Sequence, residues 1–291
     1  MLAILGATGK IGRSTIGELR RSGAPVRAIV RNSEAARDLQ AVDCEIAVAD
    51  IGDGAALRRA MQGATAVQVI CPASGRAEDA STEMRAAIAA IVGALDAARP
   101  QSVLAISDYG AHLASGTGIT LTFRHLEDEL AKLGIPLTVL RSAEHMQNWG
   151  RLVKRAVQSG VLPSLHHPVT KRFPTVSAAD VGLVAAEFLL SEEQMPLRIV
   201  HVEGPERYST EDVAGILGEL AGRRITAQEL PRPAWVPALV GGGLSTGYAE
   251  LVATMFDAHN AGRIDVEAGV GDTRSGKTQL RQVLAALMAD G

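Results

Sequence analysis

The sequence predicts an α/β protein built on a doubly wound parallel sheet, and three observations carry that prediction. Short aliphatic runs alternate with longer amphipathic stretches through the first half of the chain. Several of those short runs are apolar at almost every position, as strands are when helices cover both faces of the sheet. A glycine triplet joins the first run to the first amphipathic stretch.

The candidate strands are Leu2–Leu5, Val26–Val30, Glu45–Val48, Ala66–Cys71, Val103–Ser107 and Leu137–Leu140. Between them the helical period recurs over Lys10–Ser22, Ala55–Gln62, Thr82–Ala98 and Thr122–Gly134, so consecutive strands are joined by right-handed crossovers. After Arg141 the rhythm changes. Residues 145–175 carry histidines, two prolines and few strand signals, and are expected to form a loop-and-helix insertion over the carboxyl edge of the sheet. A helix over Ser177–Leu190 and a strand over Arg198–Val202 follow. The segment YSTEDVAGILGELAG opens with Ser209 or Thr210 as N-cap and has acidic residues in its first turn. Pro231–Gly243, rich in proline and glycine, is expected to be a loop.

Composition narrows the function. The chain has 291 residues, 47% of them hydrophobic and only 3% aromatic, so Ala, Val, Leu and Ile must fill a large core. A net charge of −3 argues against nucleic acid or an anionic membrane as partner. No apolar stretch approaches the roughly 18 residues of a membrane span, and the start of the chain lacks a signal peptide's basic region. Cys44 and Cys71 lie in apolar runs without metal-ligand spacing, which points to reduced thiols in a cytoplasmic protein. The adjacent His166 and His167 point opposite ways on an extended chain, so no metal site is expected.

Gly6, Gly9 and Gly12, in G-A-T-G-K-I-G, end a strand and open a helix within a βαβ unit. That context makes the triplet a dinucleotide fingerprint. One glycine permits the tight turn, one lets backbone N–H groups approach a pyrophosphate, and one lets helix pack on strand. Ala7, Thr8, Lys10 and Ile11 complete the loop, and the helix N-terminus supplies unpaired donors and partial positive charge. At the end of the second strand, where an acid would bind an NAD ribose, stands Arg31, followed by Asn32. A guanidinium can pair with a 2′-phosphate, which predicts NADP(H) in preference to NAD(H). Asp50 and Ile51, after the third strand, are placed near the adenine. Cys71 and Pro72, ending the fourth, are placed beside the cofactor through their backbone, and Ser107 is placed to orient the nicotinamide.

The segments GATGKIG, AIVRN, ADIGD, VQVICP, LAISDYGAH, HLEDELAKLGIPLTVLR and VSAADVGLVAAEFLL, in that order, resemble the NmrA-like family of atypical short-chain dehydrogenase/reductases. The resemblance implies a Rossmann domain with a smaller C-terminal α/β substrate domain, and a ligand cleft between them. The division it suggests is a dinucleotide-binding domain over residues 1–142, its sheet completed by parts of 176–203, and a partly interleaved substrate domain over 143–291. The family includes NADPH-dependent quinone reductases, reductases of other small molecules, and NAD(P)-binding regulators.

One departure bears on the chemistry. Short-chain dehydrogenases carry a Tyr-x-x-x-Lys pair, but Tyr109, Tyr208 and Tyr248 are followed four residues on by Leu113, Asp212 and Val252. Hydride addition to a ketone creates an alkoxide that needs a strong positioned acid. Addition to a quinone creates a phenolate-like anion, whose conjugate acid has a pKa of about 10, and needs far less help. The absent pair therefore favours a quinone or similarly activated small molecule as acceptor. Tyr109 and His125 are the candidate proton donors; each could instead be structural, Tyr109 as a packer and His125 as a helix-end hydrogen-bonder. Tyr109, His145 and Trp149 are candidate acceptor contacts, and Glu144 with His145 makes the segment after Arg141 unusually polar for the family. A redox sensor that holds NADP(H) without turnover is the alternative function, and a cofactor-retaining epimerase is disfavoured by the missing pair. The expected partner is a small-molecule acceptor, with a homo-oligomer left open. The segment GDTRSGKT (271–278) matches a phosphate-loop pattern letter for letter, but only thirteen residues follow it, which is too few for the sheet such a loop serves.

Overall fold

A computed structural model describes residues 1–71 and 75–289. Its strands are β1 (Leu2–Leu5), β2 (Val26–Val30), β3 (Glu45–Val48), β4 (Ala66–Ile70), β5 (Ser102–Asp108), β6 (Leu137–Ser142), β7 (Glu144–His145), β8 (Val161–Ser164), β9 (Thr175–Val176), β10 (Leu197–Glu203), β11 (Thr226–Glu229) and β12 (Asp272–Ser275). Its α-helices are α1 (Lys10–Arg21), α2 (Arg37–Gln40), α3 (Gly54–Met61), α4 (Ala80–Ala98), α5 (Thr120–Ala131), α6 (Gly150–Ser159), α7 (Ala178–Leu190), α8 (Thr210–Ala221), α9 (Trp235–Gly241), α10 (Thr246–Asn260) and α11 (Leu280–Ala289).

Eight strands form one sheet in the order β12-β10-β6-β5-β4-β1-β2-β3, and every ladder in it is parallel. The strand order reverses between β1 and β4, which opens a crevice at their carboxyl ends. Side chains alternate across the sheet. Leu2, Ile4, Leu104 and Ile106 pack beneath α1 and α7, whereas Ala3, Leu5, Val103 and Ala105 pack beneath α3, α4 and α5. The α1–α7 contact is unusually close: a Cβ on Gly182 would stand 2.6 Å from the Ile11 carbonyl oxygen, and Ser14 Oγ donates to the Ala179 carbonyl over 2.6 Å.

A third apolar cluster, with Trp149, Val153, Leu162, Val213, Leu217 and Leu284, joins α6, α8 and α11 with the small β8–β11 ladder. Helix α8 begins on a capping box in which Ser209 and Asp212 satisfy each other's backbone N–H. One stretch departs from expectation. Pro231–Gly243, expected to be a loop, holds α9: Pro237 lies in its first turn, where the missing N–H costs nothing, and Trp235 anchors it with 2% exposure and an indole N–H donated to Leu230. The segment 271–278 is the edge strand β12 and a turn. Thr278 spends its N–H and its hydroxyl on Asp180, each over 2.8 Å, so the threonine a phosphate loop would need is occupied.

Candidate functional site

The turn after β1 is built by its glycines. Gly6 adopts φ +76°, in the left-handed region, and its carbonyl accepts from the Gly9 N–H at 3.0 Å. A Cβ on Gly12 would stand 2.3 Å from that same carbonyl oxygen and 2.9 Å from Ala7 Cα, so only glycine lets the first turn of α1 lie against the loop. No side chain caps α1 at Gly9, and no acidic residue sits in its first turn, so its donors and positive pole face the crevice. Thr8 and Lys10 are exposed there, while Ala7 and Ile11 are buried. Leu5 pairs with Ile29, so the loop emerges beside the end of β2, where Arg31 is exposed and, among the described residues, has no ion-pair partner.

The crevice opens into a cleft of about 640 Å³. Its loop side is Gly6, Gly9 and Gly12 with Lys10, its floor is Gln68 and Ile70 of β4, and its far wall is His145, Gln147, Asn148 and Arg151. Gln147 is fixed at both ends of its amide: Nε2 donates to Ser177 Oγ at 3.1 Å and Oε1 accepts from the Ala178 N–H at 2.9 Å. Gln68 is 1% exposed and its Oε1 is buried without a partner. A buried orphan acceptor is costly, and this one belongs to a residue of the cleft floor. His145 Nε2 lies 3.2 Å from Ser142 Oγ. Burial, reinforced by the Lys10 cation and opposed by Glu144, pushes its pKa down to about 4, so the ring is neutral near pH 7.

Of the residues singled out in the sequence, Gly6, Gly9, Lys10, Ile11, Gly12 and His145 line this cleft together. Several others do not. Tyr109 is 1% exposed and packs edge-on against His201 at 5.6 Å, and burial together with the charge of Glu203 raises its pKa. His125 is held on the surface of α5, its Nδ1 3.9 Å from Glu129 Oε1. Neither is brought to the cleft, because Tyr109 turns into the α7-side core and His125 onto its own helix. Trp149 is consumed by the third apolar cluster rather than forming a wall. Ser107 is 1% exposed and donates to Glu127 Oε1 at 2.5 Å, so its hydroxyl is turned away from the position expected of it. Asp50 accepts from the Gly52 N–H at 2.8 Å in the exposed turn before α3, with Ile51 partly buried beside it. Cys71 is buried, which lifts its thiol to about 12 and leaves it unreactive. Pro72 lies outside the described residues.

Behind the cleft lie charges that composition and spacing gave no reason to group. Arg141 and Glu127 pair in the interior, and Arg141 also grips Glu267. Glu144 Oε2 meets His166 Nε2 at 2.9 Å, and His166 stacks on Phe173 with ring centres 3.5 Å apart. Burial opposes ionisation of Glu144, but His166, His259 and His145 outweigh it and hold the carboxyl below its usual range. Asp108, at the end of β5, goes the other way: burial, the main cause, and the charges of Glu144 and Glu127 raise it to about 7 against a hydrogen bond from Thr120. A residue's place at a strand end was readable, but these partners come from α5, α10 and the 160s, whose approach depends on the tertiary fold.

A model of the NmrA-like family matches residues 1–276. Quinone oxidoreductase 2 of Escherichia coli (strain K12) is 28% identical over 257 residues, which are 87% of this chain and 86% of that protein. The NAD(P)H azoreductase of Xenophilus azovorans is 24% identical over 274 residues, 94% of this chain and 91% of that one. The solved structure of the Escherichia coli NADPH-dependent quinone oxidoreductase complexed with NADPH superposes with a TM-score of 0.82 at 24% identity, covering 99% of this chain and 100% of that chain. That likeness shows a shared fold.

Proposed function

The chain belongs to the NmrA-like family, and from that premise we propose that it is an NADPH-dependent reductase that delivers hydride to a quinone or a similarly activated small molecule. The observation that carries the proposal is the glycine cradle at the switch point of the sheet, opening into a cleft whose lining, among the described residues, includes no tyrosine. The residues fit a dinucleotide. The space a Cβ on Gly12 would fill is needed for the loop, the α1 donors are uncapped, and the Gln68 acceptor on the floor lacks a donor that a bound molecule can supply. When bound, the reduced nicotinamide supplies the hydride, and a proton completes the two-electron reduction.

Each part of the chain then has a task. The Gly6–Gly12 loop and the α1 N-terminus hold the pyrophosphate, and Arg31 pairs with the 2′-phosphate that distinguishes NADPH. His145, kept neutral by burial, presents a hydrogen-bonding ring to the acceptor without a competing charge. An acceptor whose reduced oxygen is phenol-like can take its proton from water, which matches a cleft lacking the Tyr/Lys pair. The quinone and azo compounds named for the relatives are both acceptors of this activated kind. The same lack of a positioned acid favours a second reading, a redox sensor that holds NADP(H) and signals through a protein partner.

The test is NADPH and NADH consumption by purified protein against quinones and simple ketones. Turnover on quinones with NADPH preferred, and none on ketones, is the expected outcome. Tight NADPH binding with no consumption on any acceptor would replace the reductase with the sensor.

A further inference from the structure

Glu144 and His145 form β7, and its ladder with Thr175 and Val176 fixes their backbone. Neighbours on an extended chain point opposite ways. The Glu144 carboxylate meets His166, whereas the His145 ring lines the cleft together with the glycine loop.

Each nitrogen of that ring has a defined role. The Ser142 hydroxyl has one proton and donates it to the Ser107 carbonyl at 3.2 Å, since a carbonyl only accepts. Toward His145 Nε2, also at 3.2 Å, Ser142 Oγ is therefore the acceptor, and Nε2 carries the proton. Desolvation keeps the ring neutral near pH 7, so Nδ1 holds a lone pair. Nδ1 has no partner among the described residues, and it is not one of the enclosed unpartnered atoms. The ring thus brings one open acceptor to the cleft.

A quinone presents acceptor oxygens of its own and cannot use a lone pair. The ring can touch such a molecule only by contact, so its one remaining hydrogen bond is left for the cofactor. The sheet runs β6-β5-β4-β1-β2, with the glycine loop after β1 and Arg31 after β2. His145, just beyond β6, stands on the side away from Arg31. With a 2′-phosphate at Arg31, that is the side of the nicotinamide, whose carboxamide N–H2 is a donor.

We infer that His145 Nδ1 accepts a hydrogen bond from the nicotinamide carboxamide and so sets how that ring is turned toward the acceptor, which makes His145 a positioning residue. This contact rests on the cofactor half of the reductase reading and requires no turnover. The wall that carries it is held firmly, because Gln147 beside it is bonded at both ends of its amide.

The experiment is calorimetry with three oxidised cofactors. They are NADP⁺, its 3-acetylpyridine analogue, in which methyl replaces the carboxamide N–H2, and its thionicotinamide analogue, which keeps the N–H2. Wild type should bind NADP⁺ and the thionicotinamide form alike, and the acetylpyridine form about 3- to 10-fold more weakly, the range of one neutral hydrogen bond. His145→Phe should bring that ratio close to one by weakening only the two forms that carry the N–H2. His145→Leu serves the same purpose if the phenylalanine variant does not fold. His145→Asn, whose Oδ1 takes the place of Nδ1, should keep part of the ratio. A wild-type ratio near one, or a ratio unchanged by His145→Phe, overturns the contact even with NADP⁺ tightly bound. If none of the three binds, the cofactor reading falls and the contact with it. The expected ratios with no NADPH consumption on any acceptor keep the contact and remove the reductase.

Discussion

Arg141 and Glu127 face each other through the interior as a two-pronged pair, Nε to Oε1 at 3.0 Å and Nη2 to Oε2 at 2.7 Å. Both side chains are almost wholly shielded from solvent, and Ser107 donates to the same carboxylate. Removing Glu127 would leave the buried Arg141 with Glu267 as its one acid and Ser107 without its acceptor. Glu127→Ala should cost about 3–5 kcal/mol in denaturant unfolding, whereas Glu127→Gln, which keeps the volume and an acceptor, should cost less. Equal and small losses for both would show the pair to be dispensable.

Helix α1 offers a paired test of its glycines. A Cβ at position 12 meets loop backbone at 2.3 Å, whereas at position 17 it meets nothing within 4 Å. Gly12→Ala should abolish measurable NADPH binding and lower stability. Gly17→Ala, placed mid-helix, should raise stability by about 0.4–1 kcal/mol, because alanine loses less conformational freedom on folding. Titration of cofactor fluorescence and thermal unfolding of the two variants together check both halves.

Arg31→Ala should weaken NADPH binding by roughly 10- to 150-fold, the equivalent of one charge-assisted contact, and leave NADH binding nearly unchanged. Direct titration with each cofactor decides it. A parallel loss for both would place Arg31 away from the 2′-phosphate.

Asp108 gives a pH signature. Its folded pKa of about 7 stands above the ordinary value of 3.8, so the fold prefers the neutral acid. The stability it contributes is complete below about 3.8 and is lost as pH rises through about 7. Asp108→Asn carries no such charge. At pH 8 it should melt above wild type by roughly 2–4 °C, with the gap narrowing as pH falls toward 4. A gap of constant size across that range would assign the effect to packing instead.

ATP or GTP with magnesium should leave the melting temperature unmoved, and Lys277→Ala should change nothing, since the letters GDTRSGKT are spent on β12 and on capping to Asp180. A nucleotide-dependent shift abolished by that substitution would reverse this.

What the sequence disclosed follows from how local each signal is. Val26–Val30 and Glu45–Val48 are strands at the predicted bounds, and α1 at Lys10–Arg21 ends one residue early, because apolar runs and glycine turns act over a few residues. Helix α9 was hidden because proline and glycine normally mark loops, while its anchor, Trp235, is held by residues distant in sequence. β12 was hidden because an edge strand with the polar run DTRS carries no apolar pattern. In the site, the loop was readable for the same local reason. The direction of a side chain was not: Tyr109 and Ser107 sit at a strand end as expected, yet one turns into the core and the other toward α5.

The approach of α7 to α1 at Gly182 has a consequence for synthesis. The loop that would hold a dinucleotide is made before the helix that covers its own helix, which arrives some 170 residues later. Until then α1 has an uncovered apolar flank, and a fragment stopped at residue 142 would keep it bare. Such long-range closure slows folding and leaves a nascent chain exposed to aggregation. The glycine loop and α7 are thus obliged to mature together, and cutting the chain before α7 would disable the loop without altering one of its residues.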